Sequence, residues 1–302
     1  MKVFYYDQFH FPLPIGHRFP LNKYRLLRQH LEAEQLIPPE NLIVAPKATL
    51  DQIGQAHDAD YIERAESGTL SMPEIRRIGL PWSAELMARV HRSVGSTIAT
   101  SRIALREGFA VSLGGGTHHA CRNHGEGFCI YNDTVIAART MQAEGLVQRV
   151  VVIDCDVHQG NGTAQITAGD PTIFTFSIHA ERNYPFRKVP SDLDIGLPDG
   201  TGDDEYLAAL QASLIQIGNQ LQVDLAIYLA GADPYQGDRL GRLALTKAGL
   251  QARDELVLNF CREWGWPIAI TLAGGYGKQI EETVAIHLHT VMAAQAFSRQ
   301  RA

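Results

Sequence analysis

Short apolar runs alternate along this chain with longer stretches in which apolar residues recur at helical spacing. The strand-length runs are Lys2–Tyr6, Leu42–Ala45, Phe109–Leu113, Val150–Asp154, Thr172–Ile178, Leu225–Ala230 and Ile268–Ala273. They are rich in β-branched and aromatic side chains, which fit a pleated and buried surface. Helical spacing runs through Ser83–Glu107 and Asn132–Glu144, and each stops at a glycine, Gly108 and Gly145. Asp203–Leu221 opens with acidic residues that suit a helix N-terminus, and Lys247–Trp264 and Lys278–Phe297 complete the set. Regular alternation of this kind predicts βαβ units and a mainly parallel sheet, an α/β fold. No linker interrupts it, so residues 1–302 read as a single domain. The exception is Glu181–Thr201, rich in Pro and Gly, which reads as a long irregular loop. Loops of that length inside compact domains are usually functional.

Five of the strands run directly into polar residues. Phe109–Leu113 leads into Gly114-Gly115-Gly116-Thr117-His118-His119, and Val150–Ile153 into Asp154–His158 and Gln159-Gly160-Asn161-Gly162. Thr172–Phe176 leads into Ser177-Ile178-His179, Leu225–Ala230 into Gly231-Ala232-Asp233, and Ile268–Ala273 into Gly274-Gly275-Tyr276-Gly277. In an open parallel sheet the carboxyl ends of the strands lie along one edge, where ligands bind. Residues distant in sequence are therefore expected to meet there.

The segment Asp154-Cys155-Asp156-Val157-His158 is the densest of these. Side chains alternate in an extended chain, so Asp154, Asp156 and His158 face one side and Cys155 faces the core. Two carboxylates and an imidazole on one side repel or go unsatisfied without a cation among them. A salt-bridged Asp156–His158 pair is the plainer alternative. With Asp233 from a later strand end, the set instead fits a divalent ion with a fourth position open, the arrangement of a catalytic zinc site. Iron(II), cobalt and manganese also suit such oxygen and nitrogen donors. The glycines before His118 and His119 permit a turn that presents both imidazoles to one cavity, where histidine can move protons near neutral pH. Tyr276 is placed to donate a hydrogen bond to a developing oxyanion.

Composition narrows the class. Hydrophobic residues make up 45% and charged residues 20%, as in a globular enzyme. The net charge of −6 argues against binding nucleic acid along its phosphates and mildly favours cationic or lysine-bearing ligands. Four cysteines without CxxC spacing suggest free thiols in a reducing compartment. The chain opens on a strand and not on a signal peptide, and no apolar run approaches the roughly 20 residues of a membrane span. A cytoplasmic protein is expected; oligomeric state is not legible. Neither a GxGxxG nor a GxxxxGK[ST] motif is present, which removes nucleotide cradling.

The motifs GGGTHHA (Gly114–Ala120), GFCIYND (Gly127–Asp133), DCDVHQGNGT (Asp154–Thr163), GADPYQGDRLG (Gly231–Gly241) and AGGYG (Ala273–Gly277) resemble, in content and order, the zinc-dependent histone deacetylase family. Gly237–Gly241 is most similar to the class IV branch and its bacterial relatives. The resemblance implies an arginase-like α/β domain around an eight-stranded parallel sheet. It implies that Asp156, His158 and Asp233 are zinc ligands and that His118 and His119 stand beside the attacking water. Tyr276 would polarise the substrate carbonyl, and Asp154 would orient His118. Asp154, Ser177 and nearby carbonyls would also hold a structural potassium ion. Phe128, with Gly127 packed close, would wall the acyl-lysine tunnel; Gly274 and Gly275 would border it, and Asn183 and Tyr184 are candidates for its far wall. Asn161 stands where class I members carry aspartate. A neutral amide still orients His119 but lacks the charge that favours imidazolium, which leaves His119 the more readily neutral.

The implied activity is hydrolysis of the amide of an N-acyl amine, an acylated lysine peptide or protein or an acylated polyamine. Two other readings stand beside it. A ureohydrolase on the same fold needs two metal ions, and Pro234-Tyr235 after Asp233 supplies no further carboxylate at DxD spacing. A non-catalytic acyl-binding module would need neither histidine nor Tyr276.

Overall fold

The computed structural model describes residues 1–299. Eight strands form one sheet: β1 (Lys2–Tyr5), β2 (Leu42–Val44), β3 (Phe109–Ser112), β4 (Val150–Asp154), β5 (Ile173–Ala180), β6 (Leu193–Leu197), β7 (Leu225–Leu229) and β8 (Ile268–Thr271). Every pairing is parallel, and the order across the sheet is β2-β1-β3-β8-β7-β4-β5-β6. The helices are α1 (Asn22–Ala33), α2 (Leu50–Ile53), α3 (Ala59–Ser67), α4 (Met72–Ile78), α5 (Ala84–Glu107), α6 (Asp133–Ala143), α7 (Asn161–Thr167), α8 (Asp203–Gln220), α9 (Lys247–Glu263) and α10 (Ile280–Arg299). This is the α/β architecture the sequence predicts. No helix among the described residues is long and apolar enough to cross a membrane.

Seven of the strands coincide with the apolar runs, within a residue or two at their ends. The eighth, β6, lies inside Glu181–Thr201 and corrects the reading of that whole stretch as irregular. It sits at the sheet edge with β5 as its one neighbour, and four of its five residues are only partly buried or exposed. An edge strand needs little apolar surface, so Leu193-Asp194-Ile195-Gly196-Leu197 carries little signal among its prolines and glycines.

The sheet is covered on both faces, which explains the near-continuous apolar strands. Val151, Ile153, Cys155 and Val157 pack into one core layer together with residues of α1, α8, α9 and α10. Val150 and Val152 point the other way, into a second layer with residues of α5 and α6. Cys155 is thus in the core, as alternation requires. Each fully buried Val or Ile of β4 contributes about 1.5–3 kcal/mol over exposure. Those contacts hold the strand that carries Asp154, Asp156 and His158 beyond its end. The neighbours in the sheet then decide the site. β3, β8, β7, β4 and β5 lie side by side, and these are the five strands whose ends carry the polar motifs. Register aligns them closely: Asp154 pairs with Ser177 and Leu229, and Thr271 pairs with Leu229 and Ser112.

Candidate active site

At the end of β4 the backbone turns so that each acidic side chain accepts a nearby N–H. Asp154 Oδ1 accepts from Asp156 N at 3.1 Å, and Asp156 Oδ1 accepts from His158 N at 3.0 Å and His158 Nδ1 at 2.9 Å. Asp156 Oδ2 accepts from Gly274 N at 2.8 Å, across from the end of β8. Asp233, beyond β7, receives Val157 N on Oδ1 at 3.0 Å. Its other oxygen, Oδ2, is fully buried, has no hydrogen-bond partner and lies 3.4 Å from His158 Nδ1.

Ligand atoms of Asp156, His158 and Asp233 fall within 4.8 Å of one another, and all three residues are buried. An unsatisfied carboxylate oxygen at such a place costs on the order of 1–3 kcal/mol unless a cation meets it. Burial disfavours charge on His158, yet the carboxylate of Asp156, which accepts its hydrogen bond, and the nearby carboxylate of Asp233 outweigh it and raise its pKa to about 10. The pocket therefore attracts positive charge, and its mixed oxygen and nitrogen donors fit a divalent ion. Gly274 shapes it: a Cβ there would lie 1.8 Å from Asp233 Oδ2 and 2.5 Å from Asp156 Oδ2.

The two histidines enter from the end of β3. Gly115 and Gly116 take positive φ, +109° and +66°, and swing the chain into the cavity. Gly116 N and Thr117 N then donate to the carboxylate of Asp133 at 2.9 and 2.7 Å, which pins the turn to the start of α6. His118 Nδ1 donates to Asp154 Oδ2 at 2.6 Å. Burial works against the imidazolium of His118, but Asp154 and Asp156 prevail and lift its pKa to about 9.

His119 behaves oppositely. Burial, then the neighbouring His118 and His158, hold it well below the ordinary histidine range. Its Nδ1 lies 2.7 Å from Asn161 Oδ1, while Asn161 Nδ2 donates to Glu126 Oε1 at 2.5 Å. Glu126 can only accept, so it fixes the amide orientation; Asn161 Oδ1 must then accept from His119 Nδ1–H. The lone pair of His119 is left on Nε2, on the side of the ring away from Asn161.

Tyr276 follows β8. Its backbone N donates to Asp238 Oδ2 at 2.5 Å, and Asp238 Oδ1 accepts from Leu240 N at 2.7 Å and Gly241 N at 2.9 Å. Burial, reinforced by Asp233 and Asp156, raises the phenol far above its ordinary range, so it stays protonated and able to donate. Lys23 Nζ donates to the carbonyls of Ala273 and Gly275 at 3.0 and 3.4 Å, bracing the same loop from α1.

The walls form around these groups. The Phe128 ring lies 5.9 Å from that of Tyr276, and the Tyr184 ring stands edge-on to His119 at 4.9 Å. Gly127, at φ +56°, lets His119 approach, since a Cβ would meet its ring at 2.5 Å. Of the two far-wall candidates, Tyr184 faces the histidines; the amide of buried Asn183 instead donates to Leu240 O at 2.9 Å. Gly274 and Gly275 form the backbone beside Tyr276, though Gly275 packs against Thr283 and Ala232. Ser177 pairs across the sheet with Asp154, and its hydroxyl lies 3.0 Å from His179 Nδ1.

All the sequence-predicted site residues thus lie at one edge of the sheet. Sequence reasoning missed Glu126, Asp133, Asp238 and Lys23, which touch the site through backbone or second partners. Two of them had a signal within the motifs: Asp133 closes GFCIYND, and Asp238 lies within GADPYQGDRLG. A lysine in α1 gave none.

The parallel eight-stranded sheet flanked by helices is the fold of histone deacetylase homologues. The crystal structure of an HDAC homologue from Aquifex aeolicus matches with a TM-score of 0.83 at 22% identity, over 97% of this chain and 84% of that one. Sequence carries the relation beyond fold. Residues 17–292 match the histone deacetylase domain, and the chain belongs to the histone deacetylase family. An uncharacterised protein of Picosynechococcus sp. is 46% identical over 285 residues, 94% of this chain and 95% of that protein. Histone deacetylase 2 of Arabidopsis thaliana is 34% identical over 197 residues, 64% of this chain, a match that spans about half (51%) of the plant protein.

Proposed function

We propose that this chain is a divalent-metal-dependent deacylase that hydrolyses the amide of an N-acyl amine, with an acylated lysine side chain as the leading substrate. The observation that carries this reading is the unpartnered, buried Asp233 Oδ2 among Asp156 and His158, beside a histidine held neutral. Asp156, His158 and Asp233 would hold the ion, with zinc the leading choice and iron(II) or cobalt compatible with the same donors. Such an ion supplies Lewis-acid polarisation of the amide carbonyl and acidifies water.

The protein groups divide the remaining work. His119 Nε2 takes a proton from the attacking water and returns it to the amine nitrogen as the C–N bond breaks, leaving a carboxylic acid and an amine. The Tyr276 hydroxyl donates to the carbonyl oxygen as negative charge develops there. His118, charged by its pairing with Asp154, adds a fixed positive charge nearby. Phe128 and Tyr184 line the path for the aliphatic stem. Asp154 and Ser177, neighbours across β4 and β5, are the residues to which this reading assigns a potassium ion. The four cysteines are free and buried, which agrees with a cytoplasmic, reducing setting.

The test is hydrolysis of acyl-lysine peptides and acyl-polyamines of graded acyl length, before and after chelation. Turnover that chelator abolishes and added zinc restores is expected; chelator-resistant turnover would overturn the mechanism. Metal analysis separates the ureohydrolase reading. Among the described residues a single three-ligand cluster is found, and two tightly held ions per chain would favour that rival.

A further inference from the structure

The net charge of −6 suggests a molecule that cations approach readily. The mouth of the site has the opposite character. The cleft leading to His119, His158 and Tyr276 is bordered by Arg18, Arg76, Arg77, Arg239 and Arg242, and no aspartate or glutamate among the described residues lines it. All five arginines are exposed. Arg242 pairs with Asp199 at 3.3 Å, and among the described residues no carboxylate pairs with the other four.

Three of these arginines, Arg77, Arg239 and Arg18, sit on segments hydrogen-bonded to or packed against the residues around the cleft. Arg77 O accepts from Gly127 N at 3.2 Å and Ile78 O accepts from Phe128 N at 2.7 Å, so the end of α4 is fixed to the Gly127–Phe128 turn. Arg239 donates to Tyr276 O through its backbone N at 3.3 Å and its Nε at 3.0 Å. Arg18 follows His17, whose Nε2 donates to Gly79 O at 2.9 Å and whose ring lies 5.9 Å from that of Phe128. Arginines in the last turn of a helix complement its dipole, which accounts for Arg76 and Arg77 taken alone. It does not account for Arg18, Arg239 and Arg242, which reach the same rim from two loops, one before α1 and one between β7 and α9.

We propose that the preferred substrate is an acylated lysine within an acidic stretch of polypeptide, whose carboxylates meet this arginine rim. The inference rests on the deacylase reading and adds the substrate class. A ring of like charge around a cleft concentrates oppositely charged ligands, with effects on association of about 10- to 1000-fold at low salt. It equally disfavours polyamines, which bring their own positive charges. The rim also repels the ammonium group that hydrolysis liberates, which favours departure of the product lysine.

The experiment compares metal-loaded protein on three acetyl-lysine peptides that differ only in their flanks: acidic, neutral or basic. An acetylpolyamine and free N-ε-acetyl-lysine are run alongside. At low salt the acidic peptide is expected to exceed the basic one in kcat/KM by at least about tenfold. The gap should narrow strongly toward ~1 M salt, where the screening length is about 3 Å. In the double variant Arg76→Gln/Arg77→Gln the acidic-to-basic ratio should fall severalfold. The ratio is taken within each protein, so a general loss of activity cancels. A basic peptide or acetylpolyamine hydrolysed as fast as the acidic peptide at low salt would overturn the proposal. So would free acetyl-lysine outrunning every peptide, which would move the substrate class to small molecules. Failure of all the substrates, the neutral peptide included, would instead strike the deacylase reading itself.

Discussion

Tyr276 and Gly274 are two residues apart and make different demands. In the proposed mechanism the Tyr276 hydroxyl is needed only when charge develops on the carbonyl oxygen. Tyr276→Phe should therefore lower kcat by about 100- to 1000-fold with KM little altered, as loss of an oxyanion donor does. Steady-state kinetics on an acetyl-lysine peptide decides this, and a wild-type kcat would remove Tyr276 from the mechanism. Gly274 is needed before any substrate arrives, because its missing Cβ makes room for the Asp233 and Asp156 oxygens. Gly274→Ala should weaken zinc binding at least about tenfold, on the scale of outer-shell metal-site changes. Competition against a chromogenic chelator measures it, with far-UV circular dichroism as the control for folding. At this scale the clustering of Asp156, His158 and Asp233 and the placement of the two histidines were legible because such residue types are costly to bury without partners. Asn161 was legible as the partner of His119, but not Glu126 behind it, whose carboxylate decides which way the amide points.

The elements that hold these residues were legible where burial is two-sided. Strands β3, β4, β7 and β8 are covered on both faces, and their near-continuous apolar runs announce them. Strand β6 and the helices between Asn22 and Ile78 were not, because they lie at an edge or derive much of their stability from contacts with distant parts of the chain. The loop from Asp233 to Gly241 shows what such distant contacts do. Asp238 accepts three backbone N–H groups, from Leu240, Gly241 and Tyr276, and so ties the segment after β7 to the one after β8. Hydrogen bonds to a charged acceptor contribute about 1.5–3 kcal/mol. Asp238→Ala should lower the melting temperature by roughly 2–5 °C, at about 1.6 °C per kcal/mol for a chain of about 300 residues. Scanning calorimetry checks the shift, and a change of under a degree would mean that the loop is held by other contacts.

Across the whole molecule, stability and charge both depend on groups remote from the reaction. His57 is buried, with Nδ1 donating to Cys121 O at 3.0 Å and Nε2 accepting from Asn132 N at 2.9 Å. These bonds define a neutral ring, since a second ring proton would point at an N–H. Burial drives the His57 pKa down to about 4, against 6.5 in the unfolded chain, with the carbonyls of Arg122 and Cys121 opposing. The unfolded state therefore binds this proton first. Stability from the neutral ring is complete above pH 6.5 and is lost as pH falls toward 4, about 3 kcal/mol over the window. Denaturant titrations at pH 7 and 4.5 should show the decline, and it should be shallower in His57→Gln by about one proton. An equally steep variant would assign the decline to other groups.

The order of the sheet also bears on when this molecule becomes competent. The last strand, β8, lies between β3 and β7, so it is the seam that joins β2-β1-β3 to β7-β4-β5-β6. Both flanking blocks leave the ribosome before the strand that unites them. The His118–His119 pair belongs to the first block and the Asp156–His158–Asp233 cluster to the second, so neither meets its counterpart in the sheet until Ile268–Thr271 has been made and inserted. The acidic cluster, built on the neighbouring strands β7 and β4, can form without β8; what waits for β8 is the meeting of that cluster with the histidine pair across the sheet.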